Sequence, residues 1–329
     1  MNKISKYIAI ASLSVAVTVS APQTTNSTAF AKSSAEVQQT QQASIPASQK
    51  ANLGNQNNMA VAWYQSSAEV QQTQQASIPA SQKANLGNQN NMAVAWYQNS
   101  AEAKALYLQG YNSAKTQLDK EIKKNKGKHK LAIALDLDET VLDNSPYQGY
   151  ASIHNKPFPE GWHEWVQAAK AKPVYGAKEF LKYADKKGVD IYYISDRDKE
   201  KDLKATQKNL KQQGIPQAKK SHILLKGKDD KSKESRRQMV QKDHKLVMLF
   251  GDNLLDFTDP KEATAESREA LIEKHKDDFG KKYIIFPNPM YGSWEATIYN
   301  NNYKASDKAK DKLRKNAIKQ FDPKTGEVK

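Results

Sequence analysis

Four acidic side chains lie within eight residues of the stretch LAIALDLDETVLDN, which spans residues 131–144. Asp136, Asp138, Glu139 and Asp143 follow directly after an apolar run. Crowded carboxylates repel one another and raise each other's pKa, so they need a cation or bound protons. Because the stretch offers oxygen ligands without His or Cys, it predicts a Mg²⁺ site, which takes one or two carboxylates together with a substrate phosphate.

Further polar residues stand at the ends of other apolar runs. Ser195 ends the run VDIYYIS and Arg197 follows it, and Asp252 and Asp256 follow KLVMLF, with the basic segment KGKDDKSKESRR between the two groups. Ligands of parallel α/β sheets bind beyond the carboxyl ends of the strands, so we expect these residues to converge. A lysine and a hydroxyl beside Mg²⁺ supply what a phosphate dianion needs, which predicts phosphoryl transfer.

An aspartate can serve as the nucleophile of such a site. It is ionised above roughly pH 4 without the help of a base, and aspartyl phosphates are known covalent intermediates. A second aspartate two residues further along an extended chain points to the same side. It can protonate the leaving oxygen and later activate water.

Apolar runs alternate with segments of helical spacing along the chain, which predicts an α/β fold: a parallel sheet with helices on both faces and a small, mainly helical N-terminal addition or cap. Ser100 is the expected N-cap of a helix that precedes the first strand. The predicted strands are 131–136, 189–195, 222–225, 245–252 and 283–286, and the predicted helices are 161–170, 176–187, 199–213, 232–242 and 262–279.

The order of these motifs resembles that of the haloacid dehalogenase (HAD) superfamily, with its Rossmann-like sheet. The motifs are DxDxT, then Ser, then Lys, then GDxxxD, each near a strand end. The segments DLDETVLDN, WHEWV, KSKESRRQ, GDNLLDF and PMYGSWE look more narrowly like class C bacterial acid phosphatases of subfamily IIIB. The resemblance covers residues 92–303.

The resemblance implies roles for the acids. Asp136 would be the nucleophile and Asp138 the general acid and base. One Mg²⁺ per site would be bound by Asp136, the Asp138 main-chain carbonyl and Asp252. Asp256 would bind the ion or its other ligands, although an acid at that position could instead favour a helix dipole.

The resemblance also implies residues for the substrate. Ser195 would hold phosphoryl oxygens, and a lysine of the basic segment, Lys233, would neutralise the phosphoaspartate. Lys226, Lys228 and Lys231 compete for that role. Trp162 and Tyr291 match positions that stack on an aromatic base, but a core-facing stripe with Trp165 explains Trp162 nearly as well. Asn144 and Arg197 are expected to contact the substrate.

The expected substrates are small phosphate monoesters, nucleoside monophosphates and aryl phosphates among them, which includes 5'-nucleotidase activity. A mildly acidic preference follows from the protonated acid that the reaction needs, and the resemblance suggests a homodimer. The alternatives are a phosphotransferase or a dehalogenase on the same fold. A basic surface-binding protein is the alternative from another class, since the formal charge is +15. The lysines are interspersed with acids, which favours a solvated surface over specific nucleic-acid binding.

The N-terminal part has three expected segments. Residues 1–31 have a charged start, a short apolar run and a small-residue cleavage site near Ala31, which predicts a secretory signal peptide. Residues 32–91 form a polar linker that contains most of a tandem duplication, because residues 33–65 and 66–98 are identical. We expect residues 92–98 of the second copy to dock on the fold. The chain has no cysteine and hence no lipid-modified cysteine anchor.

The predicted catalytic domain spans residues 92–315, and a basic tail follows over 316–329.

Overall fold

A computed structural model describes residues 85–329 of the chain. The predicted signal peptide, the first copy of the duplication and most of the linker lie outside the described residues.

Five parallel strands form the sheet that carries the polar strand ends. Their order is β5-β4-β1-β6-β7, so the strand that ends in the acidic stretch lies in the centre. All five residues of that central strand are buried, because helices cover both faces. The predicted α/β fold is confirmed. The strands are β1 Leu131–Leu135, β4 Asp190–Asp198, β5 Ile223–Lys226, β6 Lys245–Gly251 and β7 Tyr283–Ile285, and β2 Leu142–Asp143 pairs with β3 Lys172–Pro173 in a separate antiparallel ribbon.

The helices follow the predicted alternation. The predicted helix 262–279 is shorter than expected: it begins after Thr264, whose hydroxyl accepts a hydrogen bond from the Ser267 amide, and it ends at His275. The helices over 86–89, 91–99, 145–154 and 293–298 were not predicted. Two of these segments, SPYQGYASIH and SWEATI, lack a clear apolar period. The helices are α1 Leu86–Gln89, α2 Asn91–Asn99, α3 Ala101–Asn125, α4 Ser145–His154, α5 Trp162–Ala168, α6 Ala177–Lys186, α7 Lys199–Gln212, α8 Glu234–Asp243, α9 Ala265–His275, α10 Ser293–Ile298 and α11 Asp307–Asn316.

The second copy of the duplication does dock on the fold. Ala93, Val94 and Tyr97 of α2 are buried in the main hydrophobic core. Helix α1 precedes residue 92, so the structure has a helix within the segment assigned to the linker. The reason is a local cap, since the side chain of Asn85 accepts a hydrogen bond from the Asn88 amide at 3.0 Å. The predicted cap of α3 is confirmed: Ser100 accepts a hydrogen bond from the Ala103 amide at 3.0 Å.

Residues 307–329 contain one helix and one short bridge. Helix α11 begins after Ser306, and beyond it Phe321 pairs with Val328 in an isolated antiparallel bridge. Among the helices that the structure describes, none combines the length and the apolar character needed to cross a bilayer.

Candidate active site

Three aspartates meet at the carboxyl edge of the sheet. Asp136 follows β1, Asp252 follows β6, and Asp256 ends a 3₁₀ turn just beyond β6. One carboxylate oxygen of each lies within 4.8 Å of those of the other two. Adjacent parallel strands bring these residues together, because β1 and β6 are paired along their length.

A capping box directs Asp256 back toward the strand. The side chain of Asn253 accepts hydrogen bonds at the start of the turn, and Asp256 Oδ2 accepts one from the Asn253 amide at 2.9 Å. Gly251, the last residue of β6, makes room for this return. A Cβ atom at Gly251 would collide with the carboxylate and the Cβ of Asp256. The close approach therefore requires glycine.

Lys233 is the lysine that reaches the aspartate cluster. Its ammonium group contacts Asp136 and lies 2.6 Å from Asp256 Oδ1. It is buried at the start of α8, whereas Lys226, Lys228 and Lys231 of the same loop are exposed. Attraction to Asp136 and Asp256 more than offsets the effect of burial and raises the pKa of Lys233, so the ammonium stays charged.

The cluster carries more negative charge than Lys233 balances. Burial raises the pKa of Asp136 well above its usual range, although Lys233 opposes the shift. Burial and the charge of Asp256 raise the pKa of Asp252 to about 7. Three oxygen donors without nitrogen or sulfur suit a hard divalent cation, which would supply the missing positive charge. The residues therefore fit a divalent metal ion.

Asp138 lies in a separate set of hydrogen bonds. The guanidinium group of Arg197 donates to Asp138 Oδ1 from Nη2 at 2.7 Å and from Nε at 3.0 Å. Asn144 donates to the same oxygen at 2.8 Å, and the Ser195 hydroxyl lies 3.3 Å from Oδ2. Arg197, Asn144 and Ser195 are buried. These contacts hold the carboxylate of Asp138 in one orientation.

Two tryptophans of α5 stand behind this set. Trp165 packs against the core, and its indole N–H donates to Asn144 Oδ1 at 2.8 Å. Trp162 makes different contacts: its ring lies 5.6 Å from the guanidinium carbon of Arg197 and packs edge-on against Tyr147. The core-facing alternative thus applies to Trp165, and Trp162 lies beside the residue that holds Asp138.

Glu139 turns away from the aspartate cluster. Its φ of 56° lies in the left-handed region, and its side chain is fully buried. The carboxylate contacts the hydroxyl of Tyr291 and accepts the Asn144 amide at 2.7 Å. Burial, together with the charges of Asp138 and Asp252, raises the pKa of Glu139.

The four acids of the opening stretch are therefore not held together by one ion. Asp136 joins the cluster, Asp138 lies on Arg197, and Glu139 lies on Tyr291. Asp143 accepts a hydrogen bond from the Ser145 amide at 2.8 Å and so caps the start of α4. The left-handed turn at Glu139 separates the side chains, which is why sequence proximity overstated their crowding.

Some residues of the site were missed in the sequence. Asn288 donates to Asp252 Oδ2 at 2.8 Å, and nothing in the segment FPNPM indicated this contact. Arg236 is buried and donates to the Ser195 carbonyl at 2.6 Å and to Asp196 at 2.7 Å, which fixes the end of β4. Glu139 and Trp165 lie within quoted motifs, but their types alone did not reveal their partners.

Comparisons with known proteins point to one family. The family model of HAD superfamily, subfamily IIIB (acid phosphatase) matches residues 64–294. The class C acid phosphatase from Bacillus anthracis has a similar structure, with a TM-score of 0.70 and 48% sequence identity, covering 72% of this chain and 100% of that one. A class B acid phosphatase from Rahnella sp. is 25% identical over 192 residues, which are 54% of this chain and 75% of that one. A protein from Staphylococcus aureus called 30 kDa neutral phosphatase is 96% identical over 28 residues, 8% of this chain and 80% of that one.

Proposed function

The chain belongs to the acid phosphatases of HAD subfamily IIIB and is a phosphoric monoester hydrolase, and we propose that it is secreted and uses Mg²⁺ and a phosphoaspartate intermediate. The observation that carries the proposal is the aspartate cluster at the carboxyl edge of the sheet, with Lys233 as its buried cation. Small phosphate monoesters are the proposed substrates.

Asp136 is the proposed nucleophile. One of its carboxylate oxygens attacks phosphorus, the P–O bond to the leaving group breaks, and the electron pair of that bond goes to the leaving oxygen. Asp138 gives its proton to that oxygen. Water then attacks the phosphoaspartate with Asp138 as base, which releases inorganic phosphate and restores the Asp136 carboxylate.

The neighbouring residues assist this sequence in distinct ways. Lys233, held between Asp136 and Asp256, neutralises charge on the transferring group. The Ser195 hydroxyl binds a phosphoryl oxygen. Arg197 and Asn144 orient Asp138 and bind substrate where the phosphoryl group enters.

Mg²⁺ is the proposed ion because all donors of the cluster are oxygens and a substrate phosphate can complete its coordination. Asp136, Asp252 and Asp256 would hold it, together with the main-chain carbonyl of Asp138. When bound, the ion polarises phosphoryl oxygens and stabilises negative charge in the transition state.

Substrate preference would be set by aromatic side chains. Trp162, beside Arg197, and Tyr291, fixed by Glu139, are the proposed stacking residues for the base of a nucleoside monophosphate or for an aryl group. A mildly acidic preference is also proposed, because phosphate monoesters lose their second proton near pH ~6 and become harder to approach with a carboxylate. A rate that rises steadily from about pH 5 to about pH 9 would contradict that preference.

Secretion is proposed from the signal-like residues 1–31. The measurement is N-terminal sequencing of protein recovered from the medium of the host that carries the gene. A start near Lys32 is expected, whereas retention of residues 1–31 on cell-bound protein would overturn secretion. Light scattering of the same sample measures whether the mature chain is a homodimer.

The catalytic proposal is tested by phosphate release from p-nitrophenyl phosphate and from a panel of nucleoside monophosphates. We expect activity that disappears with EDTA, returns with Mg²⁺ and is abolished by Asp136→Asn. Asp143→Asn is the matched control, because Asp143 caps α4 and is not expected to touch phosphate. Full activity in Asp136→Asn, or activity that persists in EDTA, would overturn the mechanism. Transfer of phosphate to an added alcohol in preference to water would favour the phosphotransferase alternative.

A further inference from the structure

Residues 85–98, here called the docking segment, bind helix α4 through polar contacts. The Gly87 amide donates to Asn155 Oδ1 at 3.2 Å, and the Ser152 hydroxyl donates to the Gly87 carbonyl at 2.9 Å. The same hydroxyl contacts the side chain of Asn91. A Cβ atom at Gly87 would approach the Ser152 carbonyl too closely, so this contact requires glycine.

The docking segment is also held by helix α11. Gln89 donates to Asp311 Oδ1 at 2.5 Å and accepts from Arg314 Nη1 at 2.8 Å. Arg314 forms an ion pair with Glu295 of α10 as well. These bonds are specific to a glutamine at this position, because its amide both donates and accepts.

An apolar part of the docking segment reaches the catalytic loop. Val94 and Tyr97 are buried, and the Tyr97 hydroxyl lies 2.6 Å from that of Tyr107. Tyr107 in turn donates to the main-chain carbonyl of Glu139. The docked segment therefore supports the turn that separates Glu139 from the metal-binding acids.

Each residue of the docking segment that makes these contacts, and the cap residue Asn85, has an identical counterpart 33 positions earlier. The counterparts are Asn52, Gly54, Gln56, Asn58, Val61 and Tyr64. The surface of α3, α4 and α11 that binds the docking segment is here called the docking groove. We propose that the docking groove accepts residues 52–65 of the first copy in place of residues 85–98, so that the chain has two docking registers. This inference is independent of the proposed function.

The two registers differ in the free energy needed to close a loop. When the second copy is docked, the first copy precedes it and closes no loop. When the first copy is docked, an additional 33 residues must span the short gap between the docked segment and α3. The probability of closing a loop falls as the 3/2 power of its length, so a loop of 33 residues lowers the equilibrium population of that register by roughly 200-fold. The second copy therefore occupies the groove unless it is damaged.

Because the chain has no cysteine, disulfide trapping can report each register directly. Ser152→Cys with Asn91→Cys traps the register of the structure and calibrates the geometry. Ser152→Cys with Asn58→Cys traps the other register. Ser152→Cys with Ala62→Cys is the matched control, since its counterpart Ala95 is exposed. Oxidised glutathione accepts the two electrons and the two protons that each pair of thiols loses, and is reduced to two molecules of glutathione.

Val94→Asp shifts the balance toward the first copy. An unpaired carboxylate in the core disfavours docking of the second copy by more than the roughly 200-fold difference between registers. In full-length Val94→Asp protein that also carries Asn58→Cys and Ser152→Cys, we expect the bond between the two introduced thiols to become the main intramolecular disulfide. Val61→Asp in the first copy should change nothing by itself, and protein with both Val94→Asp and Val61→Asp should lose the disulfide.

The possible results either support or contradict the second register. A disulfide from Asn58→Cys that exceeds the Ala62→Cys control at least tenfold in Val94→Asp protein upholds the second register. A yield equal to that control, or protein that fails to fold although the first copy is intact, overturns it. Disulfides that join two chains, seen as dimers on non-reducing gels of dilute protein, also overturn it.

Discussion

Trp165→Phe tests whether Trp165 orients Asp138, the proposed general acid, through the side chain of Asn144. The indole N–H of Trp165 donates to Asn144 Oδ1 at 2.8 Å, and the amide of the same side chain donates to Asp138 at 2.8 Å. The indole therefore decides which end of the Asn144 amide faces Asp138. Phenylalanine keeps most of the aromatic packing and removes only the donor.

The size of the effect follows from one hydrogen bond. The remaining donor to Asn144 Oδ1 is Arg197 Nη2 at 3.4 Å, which is too long to compensate. The net loss of about 1 kcal/mol corresponds to a roughly fivefold lower kcat. If the amide rotates and presents its oxygen to Asp138, repulsion increases the loss beyond tenfold. KM should change little, because Trp165 does not bind substrate in the proposed mechanism.

The assay is steady-state hydrolysis of p-nitrophenyl phosphate and of a nucleoside monophosphate, together with thermal unfolding. Trp162→Phe is the matched control three residues away. We expect it to raise KM for the nucleotide and to leave kcat for p-nitrophenyl phosphate within twofold. An unchanged kcat in Trp165→Phe, or a rise in KM alone, would refute the argument. A fall in kcat accompanied by an equal loss of folded protein would refute it as well.

Four other results are expected. Mg²⁺ at about 100 times its Kd should raise the free energy of unfolding by about 2.7 kcal/mol, and EDTA should remove the gain, as measured by denaturant titration. Tyr107→Phe leaves the Glu139 carbonyl without its buried donor and should cost about 1–3 kcal/mol, whereas no change in the unfolding midpoint would contradict this contact. Arg314→Met leaves Glu295 without its ion-pair partner and removes the donor to Gln89, and it should cost about 1–3 kcal/mol; Glu295→Gln should recover only the part that comes from the unpaired carboxylate. Burial lowers the pKa of His222, so its protonation opposes folding; stability should be retained above pH ~6.5 and fall as the pH drops below that value, and His222→Gln should flatten the slope.

The fold was largely predictable because its pattern is strong. β1 is an unbroken apolar run, and the structure ends it one residue before the predicted end. β6 and β4 likewise follow apolar runs, so the rule for parallel sheets placed Asp252 and Ser195 at the same edge as Asp136. Placement of a residue at a strand end needs only the period of hydrophobicity and the handedness of the connections.

The details of the site depend on contacts that have no local pattern. Four lysines of one loop have the same chemistry, and only burial at the start of α8 selects Lys233. Glu139 stands one residue from Asp138, but a left-handed φ directs it to Tyr291, 152 residues away in the sequence. Such pairings are set by tertiary packing, to which local sequence patterns give no access.

Gly251 has a consequence for how this family can vary. The residue lies at the end of a buried strand, where an alanine would satisfy the backbone and the strand alike. The added methyl group would meet Asp256, which lies against the strand end only because no side chain stands there. We expect a mutation of this kind to leave the sheet intact and to displace Asp256, one of the proposed metal ligands, so that activity is lost. A single nucleotide change, Gly251→Ala, would therefore give a protein that still folds but is inactive, and its fold and sequence would still resemble those of the enzyme.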